Sequence, residues 1–319
     1  MAIERDGFMG TMRRAARAAA ALALAALLAG CAGDGAAVRD EGPLRVTATT
    51  GMVADAARVV GGEHVEVTAL MGPGVDPHLY KASQGDLEAL GGADLILYNG
   101  LLLEGKMGDL LVKMSRDRPT FPVTEYVPDS LLREPPEFQG HYDPHIWFDV
   151  ALWRRGVERV RDALIEVDAT HADDYRANAA AYVDSLAALH EWVRARVAEI
   201  PAERRVLVTA HDAFGYFGRA YHIEVVGLQG ISTVAEFGLA DIRRLVDLIV
   251  TRRVKAVFIE SSVPRRNIDA VVEGCRARGH DVTVGGTLFS DAMGEAGTPE
   301  GTYLGMVRAN VRTIVEALR

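Results

Sequence analysis

The chain has 319 residues, of which 49% are hydrophobic and 25% charged, and its net charge at pH 7 is −9. This length suggests about two domains of ordinary globular composition. The acidic balance argues against nucleic acid as a partner, and two cysteines are too few for a disulfide framework or a thiolate metal site.

The first thirty residues are typical of an export signal. Arginines precede an apolar run at residues 19–30, which is too short to span a bilayer comfortably. The run ends in "LAGC", which matches the bacterial lipobox and predicts cleavage before an acylated Cys31; the alternative is a plain secretory peptide. Loss of residues 1–30 would leave 31 basic and 42 acidic residues, a net charge of −11. Residues 31–43 are small, polar and unpatterned, so we expect a flexible tether.

Short β-rich runs then alternate with helical stretches. The runs are "LRVTATT" (44–50), "VEVTALM" (65–71), "DLILYNG" (94–100) and "FPVTEYV" (121–127). Such alternation predicts a parallel sheet with crossover helices. A loop rich in proline and acids follows, and apolar spacing predicts a helix over 149–168.

A longer helix is predicted over 173–200. This stretch lacks glycine and proline, its apolar residues recur three or four apart, and Pro201 ends it. At 1.5 Å per residue such a helix is roughly 40 Å long, which suits a strut between two lobes better than a crossover inside one small domain.

The strand and helix alternation resumes after the strut. Strands are predicted at 205–210, 223–230, 256–262 and 281–290, and a last helix begins with Thr298 as N-cap and Pro299 at its first position. The predicted fold class is therefore α/β, with two lobes of mainly parallel sheet. The predicted boundaries are a first lobe at 44–171, a linking helix at 172–201 and a second lobe at 202–319.

Four residues of metal-binding type lie at the edges where ligands bind in open α/β sheets, beyond the carboxyl ends of strands. His78 stands in "DPHLY" after a strand, and His145 stands in "DPHIW" before a helix. His211 and Asp291 directly follow the strands at 205–210 and 281–290. Each of these residues alone is weak support for a metal site, because a histidine at a strand end is more often an ordinary polar residue.

The proline in each DPH motif stiffens the backbone that enters the histidine. The preceding acid, Asp76 or Asp143, has two open roles: it accepts a hydrogen bond from the far imidazole nitrogen, or it serves a turn or helix cap. Glu260, at the end of the strand at 256–262, is a candidate to support a ligand or to pair with a buried basic group. His141 is a candidate for a peripheral cation contact.

The order of "DPHLY", "DPHIWFDV", "VTAHDAFGYFGRAY", "IESS" and "LFSDAMGEAGTPEGTY" resembles the TroA-like solute-binding lipoproteins of zinc and manganese ABC importers. The resemblance spans Leu44 to Arg319, and "GLQGISTVAEFG" also looks like a family segment. It implies two α/β lobes joined by a rigid backbone helix, with a metal ion in the cleft between them. Carried over by motif, the metal ligands are His78, His145, His211 and Asp291.

The resemblance leaves the metal open. Manganese-directed relatives often have glutamate where this chain has His211, and strongly zinc-directed relatives often have a long histidine-rich loop before the second DPH, whereas this loop is short. Three imidazoles and one carboxylate form a borderline-soft set that suits Zn²⁺. We therefore favour Zn²⁺, with Mn²⁺ as the alternative.

The function that the resemblance implies is capture of a divalent metal outside the cytoplasmic membrane and delivery to an ABC permease with its ATPase. We expect a monomer held to the membrane through lipid on Cys31. A metal-binding surface adhesin is an alternative. A zinc hydrolase is disfavoured, because catalytic zinc usually has three protein ligands and an open water position.

Overall fold

Strands and helices alternate along the part of the chain that this computed structural model describes, which is residues 42–138, 140–235 and 237–319. The predicted signal peptide, Cys31 and all but the end of the predicted tether lie outside these residues. The described strands are β1 Leu44–Ala48, β2 Val65–Ala69, β3 Leu95–Tyr98, β4 Thr120–Pro122, β5 Val206–His211, β6 Glu224–Gln229, β7 Ala256–Glu260 and β8 Thr283–Leu288. The described α-helices are α1 Gly51–Gly61, α2 Gln84–Gly92, α3 Gly108–Met114, α4 Val150–Val167, α5 Ala172–Val197, α6 Gly215–Tyr221, α7 Leu239–Arg252, α8 Arg266–Ala277 and α9 Tyr303–Leu318.

The strands form parallel sheets in two lobes. In the first lobe the order is β2-β1-β3-β4, with every neighbouring pair parallel. In the second lobe β5 pairs with β6, β7 pairs with β8, and β5 lies against β7. Because all these pairs are parallel, the carboxyl ends of the strands in each lobe meet at one edge, where ligand-binding loops gather.

Helix α5 joins the two lobes, as the sequence predicts. Its 26 residues span about 39 Å at 1.5 Å per residue. It packs on α1 and α4 of the first lobe and on α6 and α9 of the second. Its buried side chains are those of the predicted stripe: Tyr175, Ala179, Tyr182, Leu186, Leu189, Val193 and Val197. Residues 43–319 form one compact unit, and the residue boundaries between lobes and linking helix stay predictions.

Two local predictions were wrong. The fourth strand ends at Pro122, and residues Val123–Tyr126 form a 3₁₀ turn instead of continuing it. The turn packs on α4 with Val123 and Thr124 buried, and Glu125 pairs with the guanidinium of Arg159 at 2.6 Å. This tertiary packing outweighs the strand preference of the sequence. Thr298 caps a 3₁₀ turn, Pro299–Gly301, and the last α-helix begins four residues later than predicted, with Thr302 as its N-cap.

Asp55 on α1 is buried where the strut meets both lobes. Its Oδ2 accepts the hydroxyl of Tyr182 at 3.1 Å and the backbone N–H of Tyr303 at 3.0 Å. Burial raises the pKa of Asp55 above its ordinary value of 3.8, although these two donors oppose the shift.

Among the described helices we find none with the length and apolarity needed to span a bilayer.

The raised pKa of Asp55 predicts that the substitution Asp55→Asn changes stability in a pH-dependent way. Because the folded chain binds the proton more tightly than the unfolded chain, the contribution of Asp55 to stability is largest below pH 3.8 and falls as pH rises through the folded pKa. Asparagine keeps an acceptor oxygen and does not ionise. We therefore expect the free energy of unfolding of the Asp55→Asn chain, measured relative to the parent, to be higher at about pH 7 than at about pH 4. Urea unfolding at both pH values measures this, with exposed Asp184→Asn as the control, and an unchanged difference would contradict it.

Candidate metal centre

The structure brings together four residues that are far apart in the chain. One donor atom from each of His78, His145, His211 and Asp291 lies within 4.8 Å of the other three. All four are buried: His145 and His211 are 0% exposed, and His78 and Asp291 are 2% exposed. His78 and His145 come from the first lobe and His211 and Asp291 from the second, so the cluster lies between the lobes.

The distances within the cluster suit a shared ion. Nε2 of His78 lies 3.4 Å from Nε2 of His145 and 3.7 Å from Asp291 Oδ2. Asp291 lies 3.4 Å from Nε2 of His145 and 3.2 Å from Nε2 of His211. Ligands bound at 2.0–2.1 Å around a tetrahedral ion stand about 3.3 Å apart. The donor atoms are therefore already close to the spacing that such an ion requires.

The two DPH motifs present their histidines in different ways. Asp143 Oδ1 accepts both the backbone N–H of His145, at 3.0 Å, and its ring Nδ1, at 2.7 Å. This contact turns Nε2 of His145 toward the cluster. Asp76 Oδ1 accepts the backbone N–H of His78 at 2.9 Å, and its Oδ2 accepts the hydroxyl of Thr233 at 2.6 Å. Asp143 thus orients an imidazole, whereas Asp76 organises a turn.

Glu260 supports the third histidine. It is the last residue of β7 and lies beside His211, the last residue of β5. Its Oε1 accepts the backbone N–H of His211 at 2.8 Å, and its Oε2 lies 2.5 Å from ring Nδ1 in an ionic contact. Glu260 therefore fixes both the backbone and the ring of His211.

Asp291 follows β8 and has both carboxylate oxygens buried without a hydrogen-bond partner. Nε2 of His211 is buried and unpartnered as well. Buried polar atoms normally have partners, because an unpaired one costs about 1–3 kcal/mol or more. Here the buried oxygens of Asp291 and Nε2 of His211 both lack hydrogen-bond partners and face one another. A cation bound between them would supply the missing partner.

The electrostatics of the cluster are set by burial and by carboxylates. Burial lowers the pKa of His78 to about 3, which leaves its imidazole neutral. Burial also opposes charge on His145, but the hydrogen bond that His145 donates to Asp143 and the negative charges of Asp143 and Asp291 overcome it and raise the pKa of His145 to about 9. Although burial opposes ionisation of Asp291, His211 and His145 hold the pKa of this carboxyl well below its usual range. The cluster thus combines a stable carboxylate with imidazoles oriented by further acids.

The remaining predicted residue stands apart. The side chain of His141 is exposed and is not one of the clustered residues. Its ring packs edge-on against Phe138, with the centroids 5.7 Å apart. The prediction that it makes a peripheral cation contact stays a prediction.

Sequence reasoning missed three residues that hold the second DPH motif. Arg133 Nη1 donates to Asp143 Oδ2 at 2.5 Å, and the hydroxyl of Tyr216 donates to the Asp143 carbonyl at 2.8 Å. A Cβ at Gly215 would lie 1.2 Å from Arg133 Nη1, so any other residue there would force that guanidinium to move. Because Arg133 lies ten residues before Asp143 in an irregular loop, no local pattern reveals the pairing.

Comparison with known proteins identifies the family. The model of the ZnuA family, zinc-uptake complex component A, periplasmic, matches residues 46–317. The manganese-binding lipoprotein MntA of Bacillus subtilis (strain 168) is 51% identical over 293 residues, which cover 92% of this chain and 95% of that protein. The zinc-binding protein TroA of Treponema pallidum (strain Nichols) is 51% identical over 284 residues, which cover 88% and 91%. The solved structure of the T. pallidum periplasmic zinc-binding protein TroA superimposes with a TM-score of 0.85 at 49% identity, covering 87% of this chain and 99% of that one. With its predicted motifs, its two parallel-sheet lobes and its buried cluster of three histidines and one aspartate, this chain belongs to the ZnuA family.

Proposed function

We propose that this chain is the substrate-binding protein of a metal ABC importer. It captures a divalent transition-metal ion outside the cytoplasmic membrane and delivers it to the permease. The observation that carries the proposal is the buried group of His78, His145, His211 and Asp291, in which both oxygens of Asp291 have no hydrogen-bond partner. Its relatives include a manganese-binding lipoprotein and a zinc-binding protein, each covered over more than nine tenths of its length, which agrees with this role.

We propose Zn²⁺ as the favoured cargo and Mn²⁺ as the alternative. Sequence similarity does not separate them, because the manganese-binding and the zinc-binding relative are both 51% identical to this chain. The donor set favours zinc. Three imidazoles and one carboxylate match the ligand preference of Zn²⁺, and sites of this kind bind Zn²⁺ more tightly than Mn²⁺. Mn²⁺ prefers more oxygen, which bidentate binding by Asp291 would supply.

Charge supports a divalent cation of either kind. The carboxylates of Asp291, Asp143 and Glu260 are 4% exposed or less, and Arg133 is the basic side chain paired with this group among the described residues. Imidazoles that ligate a metal give up their protons, and three carboxylates and one guanidinium then leave an excess of two negative charges. A divalent ion neutralises that excess inside a buried site, where unpaired charge is costly.

The family is that of an uptake component, and the site geometry argues for binding over catalysis. All four donors come from the protein and all are buried, so a tetrahedral ion held by them keeps no open position for a reacting water. A binding protein requires no such position. We propose that the chain works outside the cytoplasmic membrane as a monomer, anchored through lipid on Cys31, with a permease and its ATPase as partners.

The test is metal analysis of the purified chain followed by competing titrations with Zn²⁺ and Mn²⁺. We expect one ion per chain, and we expect zinc to displace manganese at equal free concentrations. Deletion of the gene in the source bacterium is expected to reduce uptake of the same metal. Absence of stoichiometric binding by either ion would refute the proposed function, whereas displacement of zinc by manganese would refute only the metal preference.

A further inference from the structure

Outside the four clustered residues, one side chain in the described part of the chain hydrogen-bonds the turn that carries His78 to the second lobe. The hydroxyl of Thr233 donates to Asp76 Oδ2 at 2.6 Å, and Asp76 Oδ1 accepts the backbone N–H of His78 at 2.9 Å. Asp76 therefore connects Thr233 directly to a predicted ligand. In residues 42–138, 140–235 and 237–319, no other hydrogen bond joins residues 72–83 to the second lobe, apart from contacts within the four-residue cluster.

The turn that carries His145 is held far more firmly. The hydroxyl of Tyr216 donates to the Asp143 carbonyl at 2.8 Å. The indole N–H of Trp147 donates to the Ser290 carbonyl at 3.1 Å, and the hydroxyl of Tyr303 donates to the Trp147 carbonyl at 2.6 Å. These three hydrogen bonds all cross between the lobes and are all buried. The second DPH motif therefore cannot separate from the second lobe without breaking several contacts at once.

The imidazole of His78 also has less support than the other two. Ring Nδ1 of His145 contacts Asp143, and ring Nδ1 of His211 contacts Glu260. Within the described part of the chain, the outer ring nitrogen of His78 has no such carboxylate. Because these outer contacts orient a ligand and strengthen its metal bond, His78 is the histidine whose bond to an ion breaks most readily.

A cavity lies beside this weaker turn. It has a volume of about 320 Å³, and its lining includes Asp76, Leu79, Gln229, Thr233 and Phe237. A water molecule occupies about 30 Å³ of liquid, so the cavity accommodates an ion with several of its waters. Gln229 fixes the segment that lines this cavity, since its Nε2 donates to the carbonyls of Thr233 at 2.6 Å and Ala235 at 2.8 Å.

We propose that Thr233 is a positioning residue that controls metal release, and that the ion leaves past the His78 turn. Loss of the Thr233 hydrogen bond frees Asp76 and the backbone of His78 together. His78 is then the first ligand to separate, while His145, His211 and Asp291 stay in place. The ion then leaves on the side of the turn where Asp76, Leu79 and Thr233 line the cavity. This inference rests on the proposed function, because it takes the four-residue cluster as the binding site.

The test compares zinc dissociation from the purified parent chain and from Thr233→Val, which removes the hydroxyl and keeps the branched shape. Transfer of zinc to a chromogenic chelator in a stopped-flow instrument gives the rate. We expect dissociation to be about tenfold faster, because a hydrogen bond to a carboxylate is lost. We expect association to change less than about threefold. Because Thr233 is buried and Asp76 loses a hydrogen-bond donor, the unfolding temperature of the metal-free chain is expected to fall by about 2–4 °C, so the chain stays folded at the assay temperature.

Two further variants complete the design. Ser232→Ala is the matched control, since the Ser232 hydroxyl accepts the N–H of Val234 within the same segment. It is expected to dissociate at the parental rate. Thr233→Ser keeps the hydroxyl and is expected to restore slow release. A rate within about twofold of the parent in Thr233→Val, or equal acceleration in Ser232→Ala, would overturn the inference. If the parent itself binds neither Zn²⁺ nor Mn²⁺, the proposed function fails as well, and this result is distinct from an unchanged rate.

Discussion

Replacement of Asp291 by alanine is expected to remove stoichiometric zinc binding. Asp291 is the one carboxylate among the four clustered donors, and its two oxygens lie 3.2–3.7 Å from the nearest nitrogens of the three histidines. Without it, three imidazoles face one another with no negative charge between them. Loss of a residue that merely orients a ligand costs about 10–100-fold in metal affinity, so loss of the ligand itself is expected to exceed about 100-fold.

Two measurements on the Asp291→Ala chain distinguish a loss of metal binding from a loss of folding. Isothermal titration with Zn²⁺ measures the affinity, and circular dichroism of the metal-free chain shows whether the fold is kept. Glu260→Gln is expected to weaken binding within the 10–100-fold range, since Glu260 acts through His211. His141→Ala, at an exposed position outside the cluster, is expected to bind like the parent. Full-affinity binding by a folded Asp291→Ala chain would show that the ion binds elsewhere.

Metal removal is expected to produce the second large effect, a fall in stability. An ion that binds only the folded chain stabilises it by about 4.1 kcal/mol at a free concentration one thousand times its Kd. Without the ion, both oxygens of Asp291 and Nε2 of His211 are buried with no hydrogen-bond partner, so the imidazoles nearby replace the ion only in part. For a chain of this size, we expect a chelator to lower the unfolding temperature by roughly 8 °C.

Differential scanning calorimetry with and without a chelator measures this fall in stability. The Asp291→Ala chain is the control, since it is expected to unfold at the same temperature in both conditions. A parent chain whose unfolding temperature is unaffected by zinc at a large excess over Kd would contradict the account. So would an Asp291→Ala chain that zinc stabilises as much as the parent.

The site was predictable from the sequence where local pattern decides position. Parallel strands that alternate with helices place their carboxyl ends at one edge, so His211 and Asp291 could be assigned to that edge from strand endings alone. The length of α5 and its apolar spacing likewise indicated a link between two lobes. These features depend on periodicity within one segment, which a single sequence contains.

The contacts that position the clustered histidines were not predictable in the same way. Asp76 and Asp143 stand in the same DPH motif, yet Asp76 serves a turn and Asp143 orients an imidazole. The two acids also have different partners. Thr233 approaches Asp76 from the second lobe, whereas Arg133 reaches Asp143 from an irregular loop ten residues earlier. Contacts between side chains that meet only in the folded state produce no pattern in the sequence. The sequence therefore could not show that the two identical DPH motifs have different roles.

Anomalous diffraction from crystals of the zinc-loaded chain, measured on both sides of the zinc absorption edge, tests the central claim most directly. The account predicts one strong zinc peak between the lobes, about 2.0–2.2 Å from Nε2 of His78, His145 and His211 and from a carboxylate oxygen of Asp291. A zinc peak held by other residues, with these four left unligated, would contradict it.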